Sequence, residues 1–594
     1  MRRRPVATDT MSSDSESDLD FGTDDSNEDP VWHPEENSSE EDENVSDVIR
    51  DILLEEERED MHSDDDDGTR SLHQWSEYVG RHKVFDFVGK KGVQIEISTQ
   101  ASPSDIYSHI VDEALVQFIV DETNRFAEQT IAAKRRSKHA RMNQWIPTDS
   151  AEIKKFFGLM IWMGLVPLGR MEEYWETKGV YNMALPRTIM SRNRFQVLLS
   201  MLHFENNETS SQTNRLRKIE KLIDHLQTNF KALFYPGEDF VIDETLVPWR
   251  GRLVFRQYIP NKTHRYGVKL FKLCSTDGYT WALRVYTGKS ATGEREVGLA
   301  KNVCTELCQG LLNEGRCLFV DNFYTSYELA QSFLQQRTHV VGTLRANKRN
   351  LPKEVLLAKL KRGEVISRED NDGIVVLKWK DTRDVRMLST KHAPVLVPTS
   401  NRRSAPVRIQ EDSAQPSTSS NPPQATRPRR TTHRLPTKPE AILAYNKGKA
   451  GIDLSDQMGS YATTLRKGVK WYRKLGIELL LGTSVVNAWV VYKNVTQTKI
   501  CIRKFREKLV GELLNMPSSS SRPEQPRTKH HHLKDRLNDS GIKIRRKCSV
   551  CYNRITKEKG RVCARKEARQ TYTFCEDCPE QPQMCRDCFN QQHK

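Results

Sequence analysis

Two groups of residues in this chain have types and spacings that suit chemistry. The first is a string near the C-terminus: Cys548-x2-Cys551, Cys563, Cys575-x2-Cys578, Cys585-x2-Cys588 and His593. Three CxxC pairs within 41 residues are a strong zinc pattern, because a CxxC turn points both thiolates at one metal. Seven cysteines and one histidine make eight ligands, enough for two tetrahedral Zn²⁺ sites per chain. The second group is three aspartates: Asp243 in FVIDE, Asp321 in CLFVDN and Asp453 in AGIDLSDQ. Carboxylates at the ends of apolar strands are costly unless something compensates them. Hard divalent cations do that with oxygen ligands. Two such cations, Mg²⁺ or Mn²⁺, about 4 Å apart and held by three carboxylates, activate a nucleophile and stabilise the leaving oxygen in phosphoryl transfer. Taken singly, each aspartate also suits a cap or a turn.

The elements that must position these groups can be read from periodicity. From about 100 to 238 the pattern is helical: SDIYSHIVDEALVQFIVDETNRFAEQTI, IPTDSAEIKKFFGLMIWMGLV with Asp149 as N-cap, IMSRNRFQVLLSMLHF and KIEKLIDHLQTNFKALF. At 239 it changes. DFVIDETLVPW reads as a strand, GVKLFKLCSTDGYTWALRVYTG as two strands joined at Thr276-Asp277-Gly278, and RCLFVDNFY and HVVGTL as further strands, with SYELAQSFLQQ helical. This order suggests an α/β layer. IVVLKWKDTRDVRMLST reads as a hairpin, and the Ser/Pro/Arg-rich residues 400–433 as a loop, so 352–433 looks inserted before helical sequence resumes with PEAILAYNKGKAGIDLSDQ. YRKLGIELLLGTSVVNAWVVYKNV is a long apolar helix. An aspartate on a first strand, another on a later strand and an acid on a helix fit a ribonuclease-H-like nuclease core. The spacings are 78 and 132 residues, and the insertion accounts for the second.

Composition sets the surroundings. Residues 1–70 carry 26 acidic and 6 basic side chains, while the rest carries 87 basic and 53 acidic, a body of net +34 behind a tail of net −20. A field of that size favours a polyanion, most simply nucleic acid. Residues 1–75 cannot bury a core; this segment is a solubility tail or a shield that competes with DNA. No run of about 18 apolar residues predicts a membrane span, and the N-terminus is not a secretory signal. Seven of the 12 cysteines lie in the last 47 residues, which argues for a reducing compartment rather than a disulfide framework. Arg250, Arg252, Lys262, Arg265 and Lys269 follow the first strand closely, where phosphates would come, or are merely solvated strand ends. KRRSKHAR at 134–141, RPRR at 427–430 and KIRRK at 543–547 are candidate nuclear import signals, of which KIRRK is preferred. YTGKS at 286–290 fails as a nucleotide loop because position 283 is Leu, so ATP is not implied.

Five blocks, VIDETLVPWRGR, RQYIPNKTHRYGVKLFKLC, FVDNFYTS, VVGTLRANKRNLP and AYNKGKAGIDLSDQM, resemble the piggyBac transposase family in sequence and order, across roughly residues 100–594. The resemblance implies a DDD-type DNA transposase whose metal-dependent triad is Asp243, Asp321 and Asp453. It further implies cut-and-paste transposition through nicking, hairpin formation at element ends and joining at TTAA. Trp471 matches a tryptophan near the DNA at the cut site, though it also suits a core position. Glu244 and Asp456 stand as spare acids, and Asp456 matches an acid in the family that would orient the site. The implied organisation is an acidic tail (1–75), a helical dimerisation and DNA-binding domain (76–238 and 457–515) and an α/β ribonuclease-H-like catalytic domain (239–351 and 434–456). An insertion (352–433), a linker (516–544) and a small cross-braced zinc module (545–594) complete it. Relatives often use an upstream histidine and lack a match to Cys563, so Cys563 or one of His530, His531 and His532 supplies the eighth zinc ligand. The expected partners are double-stranded DNA, as terminal repeats and TTAA target, and a second copy of the chain or more, with chromatin contacts through the zinc module; the expected location is the nucleus. The alternatives are a domesticated, non-catalytic DNA- or chromatin-binding descendant, and a zinc-module adaptor such as a ubiquitin ligase.

Overall fold

The computed structural model describes residues 74–133, 142, 145–211, 213–260, 262, 264–289, 296–398, 437–466, 468, 470–516, 531–538, 540–578 and 580–593. Expectations for the acidic tail, for KRRSKHAR, for RPRR and for the loop at 400–433 lie outside these residues, apart from residues 74 and 75. The chain divides into two units, residues 1–515 and 516–594.

The first unit is organised by one nine-stranded sheet. Its central strand is β1 (Asp239–Pro248), flanked by β3 (Tyr266–Ser275) antiparallel and β5 (Cys317–Val320) parallel. β2 (Gln257–Tyr258) and β4 (Thr280–Val285) pair the other edge of β3. The turn before β4 holds Gly278 at φ +91°, a left-handed conformation that glycine adopts without a Cβ penalty. β6 (His339–Thr343) lies parallel to β5. β7 (Val365–Glu369), β8 (Val375–Lys380) and β9 (Asp384–Ser389) follow. β9 pairs β6 antiparallel, so the order is β2-β3-β1-β5-β6-β9-β8-β7. The expected hairpin is β8–β9, in register Val375↔Ser389. The described part of the inserted segment thus extends the same sheet. Every residue of β5 is buried, the mark of a strand covered on both faces.

Helices supply the covers. α1 (Glu113–Ala133) does not run through from residue 104 as its periodicity suggests. A short helix Pro103–Ser108 precedes it, because Asp112 accepts from the Leu115 amide and starts a new helix there. α2 (Ser150–Leu165) begins at Asp149, whose carboxylate accepts from Glu152 N. α3 (Arg192–Met201) and α4 (Glu220–Leu233) follow, and α5 (Tyr327–Gln335) is capped by Ser326. PEAILAYNKGKAGIDLSDQ forms two helices, α6 (Glu440–Gly448) and α7 (Ala450–Ser460), broken at Lys449. α8 spans Trp471–Thr496, and α9 (Ile502–Leu513) packs on α2. By length and composition α8 is apolar enough to cross a membrane, which the sequence reading did not anticipate, yet 94% of its apolar window is buried inside the fold. A π-helical turn, Glu478–Thr483, interrupts it at the half-buried Glu478.

In the second unit, Leu533–Asp535 pairs with Thr573–Cys575 and Arg546–Lys547 with Gln570–Thr571. α10 (Ser549–Lys559), α11 (Arg561–Glu567) and α12 (Arg586–Gln592) complete it. Its small core is made chiefly of cysteines: Cys548, Cys551, Cys585 and Cys588 with Ala568.

Candidate active site and metal centres

Strand register brings two of the three aspartates together. Ile242 of β1 pairs with Val320 of β5 in a parallel ladder, so Asp243 and Asp321 emerge side by side at the same strand ends. Asp321 is held by its own loop: its carboxylate accepts from Phe323 N at 2.9 Å and its carbonyl from Thr325 Oγ1 at 2.7 Å. Carboxylate oxygens of Asp243, Glu244 and Asp321 all lie within 4.8 Å of one another. Burial, then the charge of Glu244 and a hydrogen bond with it, then Asp321, push the Asp243 carboxyl up to about 8. Burial and Glu244 raise Asp321 as well. Three crowded carboxylates with an all-oxygen donor set fit a hard divalent cation, whose charge would offset this repulsion.

Asp453 takes a different place. It lies in the first turn of α7, exposed, outside the 4.8 Å group. The phenol of Tyr445 on α6 has all three aspartates as acidic neighbours. Burial pushes that phenol up to about 12, a hydrogen bond with Thr343 works against the shift, and Asp321, Asp243 and Asp453 add to it. α7 is seated closely. A Cβ on Gly451 would run into the Ser275 carbonyl, so only glycine lets the helix approach β3 there. Asp456, one turn after Asp453, accepts from Thr245 Oγ1 of β1 at 2.8 and 2.9 Å and from Lys272 Nζ of β3 at 3.3 Å. Lys272 is buried; burial disfavours its ammonium, but the charge of Asp456 above all holds it above the ordinary lysine range. These contacts tie the helix that carries Asp453 to the strand that carries Asp243.

The basic residues spread along the adjoining loop. Arg250, Arg252 and Arg265 are exposed. Lys262 Nζ donates to the Glu244 carbonyl at 3.1 Å. Lys269 Nζ lies 4.9 Å from the ring centroids of both Phe271 and Phe323, and its charge acts on Asp321. Trp471 is half-buried, edge-on to Phe255 at 5.1 Å, so part of its role is packing.

The C-terminal unit gathers two four-residue groups, Cys548, Cys551, Cys585 and Cys588 in one, His531, Cys575, Cys578 and His593 in the other. Cys551 Sγ lies 3.9 Å from Cys585 Sγ and 3.4 Å from Cys588 Sγ. His531 Nδ1 is 3.3 Å from Cys575 Sγ, and Cys578 Sγ is 3.6 Å from His593 Nε2. Tetrahedral ligands at about 2.3 Å from a zinc ion stand about 3.8 Å apart, which these spacings approach. The two groups interleave along the chain, as in a cross-brace. Of the alternatives left open for the eighth ligand, Cys563 lies on α11 outside both groups, whereas His531 stands in the second group. His532 instead meets Asp577, with Nδ1 3.3 Å from its carboxylate. His530 lies outside the described residues.

A family model described as Transposase IS4 matches residues 102–489. Human PiggyBac transposable element-derived protein 3 is 25% identical over 479 residues, covering 77% of this chain and 73% of that protein. Human PiggyBac transposable element-derived protein 2 is 23% identical over 473 residues, with 77% and 73% covered. Among solved structures, a cryo-EM structure of a piggyBac transposase synaptic complex with hairpin DNA matches with a TM-score of 0.58 at 21% identity, over 84% of this chain and 98% of that one. That likeness is one of fold.

Proposed function

This chain belongs to the piggyBac transposase family, and we propose that it is a metal-dependent, cut-and-paste DNA transposase with Asp243, Asp321 and Asp453 as its catalytic acids. The observation that supports this reading is the crowded carboxylate site at the paired ends of β1 and β5, with α7, the helix of Asp453, tied by Asp456 to β1 and β3. Three antiparallel strands followed by two parallel ones, in the order β4-β3-β1-β5-β6, support a ribonuclease-H-like core. Divalent cations at the carboxylates would supply the charge that activates water and stabilises the departing 3′-oxygen. In the first step water attacks the phosphorus at the element end, the P–O3′ bond breaks, and the strand is left with a 3′-hydroxyl. That hydroxyl attacks the opposite strand and closes a hairpin, which is opened before the ends join at TTAA.

The chain's own residues hold the substrate. Arg250, Arg252, Lys262 and Arg265 suit phosphates near the site, and Lys269 beside Asp321 suits the scissile region. Trp471 is half-buried, and its indole suits stacking on an unpaired base. The Cys/His module, with two Zn²⁺, would bind the terminal repeats and make any chromatin contacts. Pairing two ends needs at least a dimer, and DNA work places the protein in the nucleus, served by KIRRK at 543–547. The names of the human relatives record descent from transposable elements, and this motivates a second reading: a protein that binds DNA without transposing it. An excision test separates the two. A reporter plasmid interrupted by inverted repeats bounded by TTAA, taken from DNA flanking the gene, is supplied with the protein. Restored, scar-free reporter supports the transposase; DNA binding without excision supports the second reading and overturns the first.

A further inference from the structure

We propose that Glu244, beside Asp243 on β1, is itself a catalytic metal ligand of the acidic site, with the buried hydroxyl of Tyr324 as the group that orients it. This rests on the metal-site reading above and adds a carboxylate to it.

Consecutive residues of a strand point to opposite faces, so Asp243 and Glu244 have no geometric obligation to meet. They do meet, and Asp321 joins them within 4.8 Å, whereas Asp453 stands outside that group. Glu244 is the leading charged neighbour of both aspartates. A surface acid with only a packing role would turn its oxygens to solvent. Instead Glu244 Oε2 is buried with no hydrogen-bond partner. A second orphan lies beside it. Tyr324 is 1% exposed, its hydroxyl has no partner, and its leading charged neighbours are Glu244 and then Asp243. Its ring is set by Phe323, edge-on at 4.9 Å, and by Phe271 at 6.1 Å.

An unsatisfied buried polar group costs about 1–3 kcal/mol. Two such atoms beside a carboxylate cluster, neither bonded to the other, are explained if a cation supplies what the free protein lacks. A divalent ion taken up by Asp243, Glu244 and Asp321 gives Glu244 Oε2 a partner and offsets the three charges, and the Tyr324 hydroxyl donates to the ligating carboxylate. The backbone at Glu244 is also pinned, since Lys262 Nζ donates to its carbonyl. Asp453, presented from a separate helix, is left for the second cation and the DNA.

The test is Mn²⁺ binding to the zinc-loaded full chain without DNA, read from the electron paramagnetic resonance signal of free Mn²⁺, with thermal melts in parallel. Glu244→Gln should weaken binding by at least about tenfold, the scale on which metal-shell changes act. Without Mn²⁺ it should melt no lower than the parent, because it removes one of three repelling charges. Tyr324→Phe deletes only an unpartnered hydroxyl and should weaken binding by a smaller factor with the melt unchanged; if Glu244→Gln fails to fold, this variant carries the test. Parental Mn²⁺ affinity in Glu244→Gln, or in Tyr324→Phe where only that variant folds, overturns the proposal if Asp243→Asn loses binding. Parental affinity in Asp243→Asn as well overturns the metal reading of the whole site.

Discussion

Asp456→Ala and Lys272→Met should destabilise the first unit very unequally, although they break the same ion pair. Lys272 has 3% of its side chain exposed, while Asp456 has 32%. Removing Asp456 strands an ammonium in the core. Its remaining acidic neighbour, Glu478, is pushed up to about 7 chiefly by burial, so melts at about pH 5.5, where its carboxyl is mostly protonated, show the effect most clearly. An uncompensated buried charge costs about 3–5 kcal/mol. Removing Lys272 instead leaves a carboxylate that water reaches and that still accepts from Thr245 Oγ1. That loss is about 1–2 kcal/mol, discounted for the solvent exposure of Asp456. The double variant should resemble Lys272→Met, so the coupling is as large as the Asp456→Ala loss itself, about 3–5 kcal/mol. Urea melts followed by tryptophan fluorescence report on this unit alone, because all 10 tryptophans precede residue 490. Equal losses, the reverse order or strict additivity would refute the argument that Lys272 is the buried partner.

Four further outcomes are expected. Glu478 has a folded pKa of about 7 against an ordinary 4.5, so its contribution is full below about 4.5 and fades as pH rises through 7; Glu478→Gln should flatten urea-melt stability across that window. Chelation should unfold residues 531–593, seen by loss of dispersed amide signals, with tryptophan fluorescence unchanged. Zinc analysis should find two ions per chain in Cys563→Ser and one in His531→Ala. Arg250→Ala and Arg265→Ala should each lower the slope of log K against log salt for DNA binding by about one.

The chemistry-bearing residues were largely legible, and what was missed has physical reasons. Asp243 and Asp321 could be found because a carboxylate closing an apolar run is anomalous within a single strand. Their adjacency needed the parallel pairing of β1 with β5, which no local signal specifies. Glu244 reads from sequence only as a spare acid beside Asp243; strand alternation points it to the other face, and only side-chain reach brings it to the group. His531 stood in a run of three equivalent histidines, and the choice among them needed the β-pairing Leu533↔Cys575 that brings it to Cys575 and Cys578. Cys563 has a ligand's side chain, but it lies on α11 outside both groups. The β8–β9 hairpin was visible from its alternation, whereas its continuation of the main sheet through β6 depends on a partner more than 40 residues away. The break at Lys449 was hidden by continuous helical propensity, and it lets Gly451 dock against Ser275.

The central claim is that three aspartates make this protein a DNA-cleaving enzyme. Its most direct test is incubation of the purified chain with Mg²⁺ or Mn²⁺ and labelled duplexes carrying the cognate ends flanked by TTAA, resolved on denaturing gels. The account predicts nicked and then hairpinned ends with the parent protein, and neither product with Asp243→Ala, Asp321→Ala or Asp453→Ala, with each variant folded. Hairpins formed equally well by all three variants would contradict it.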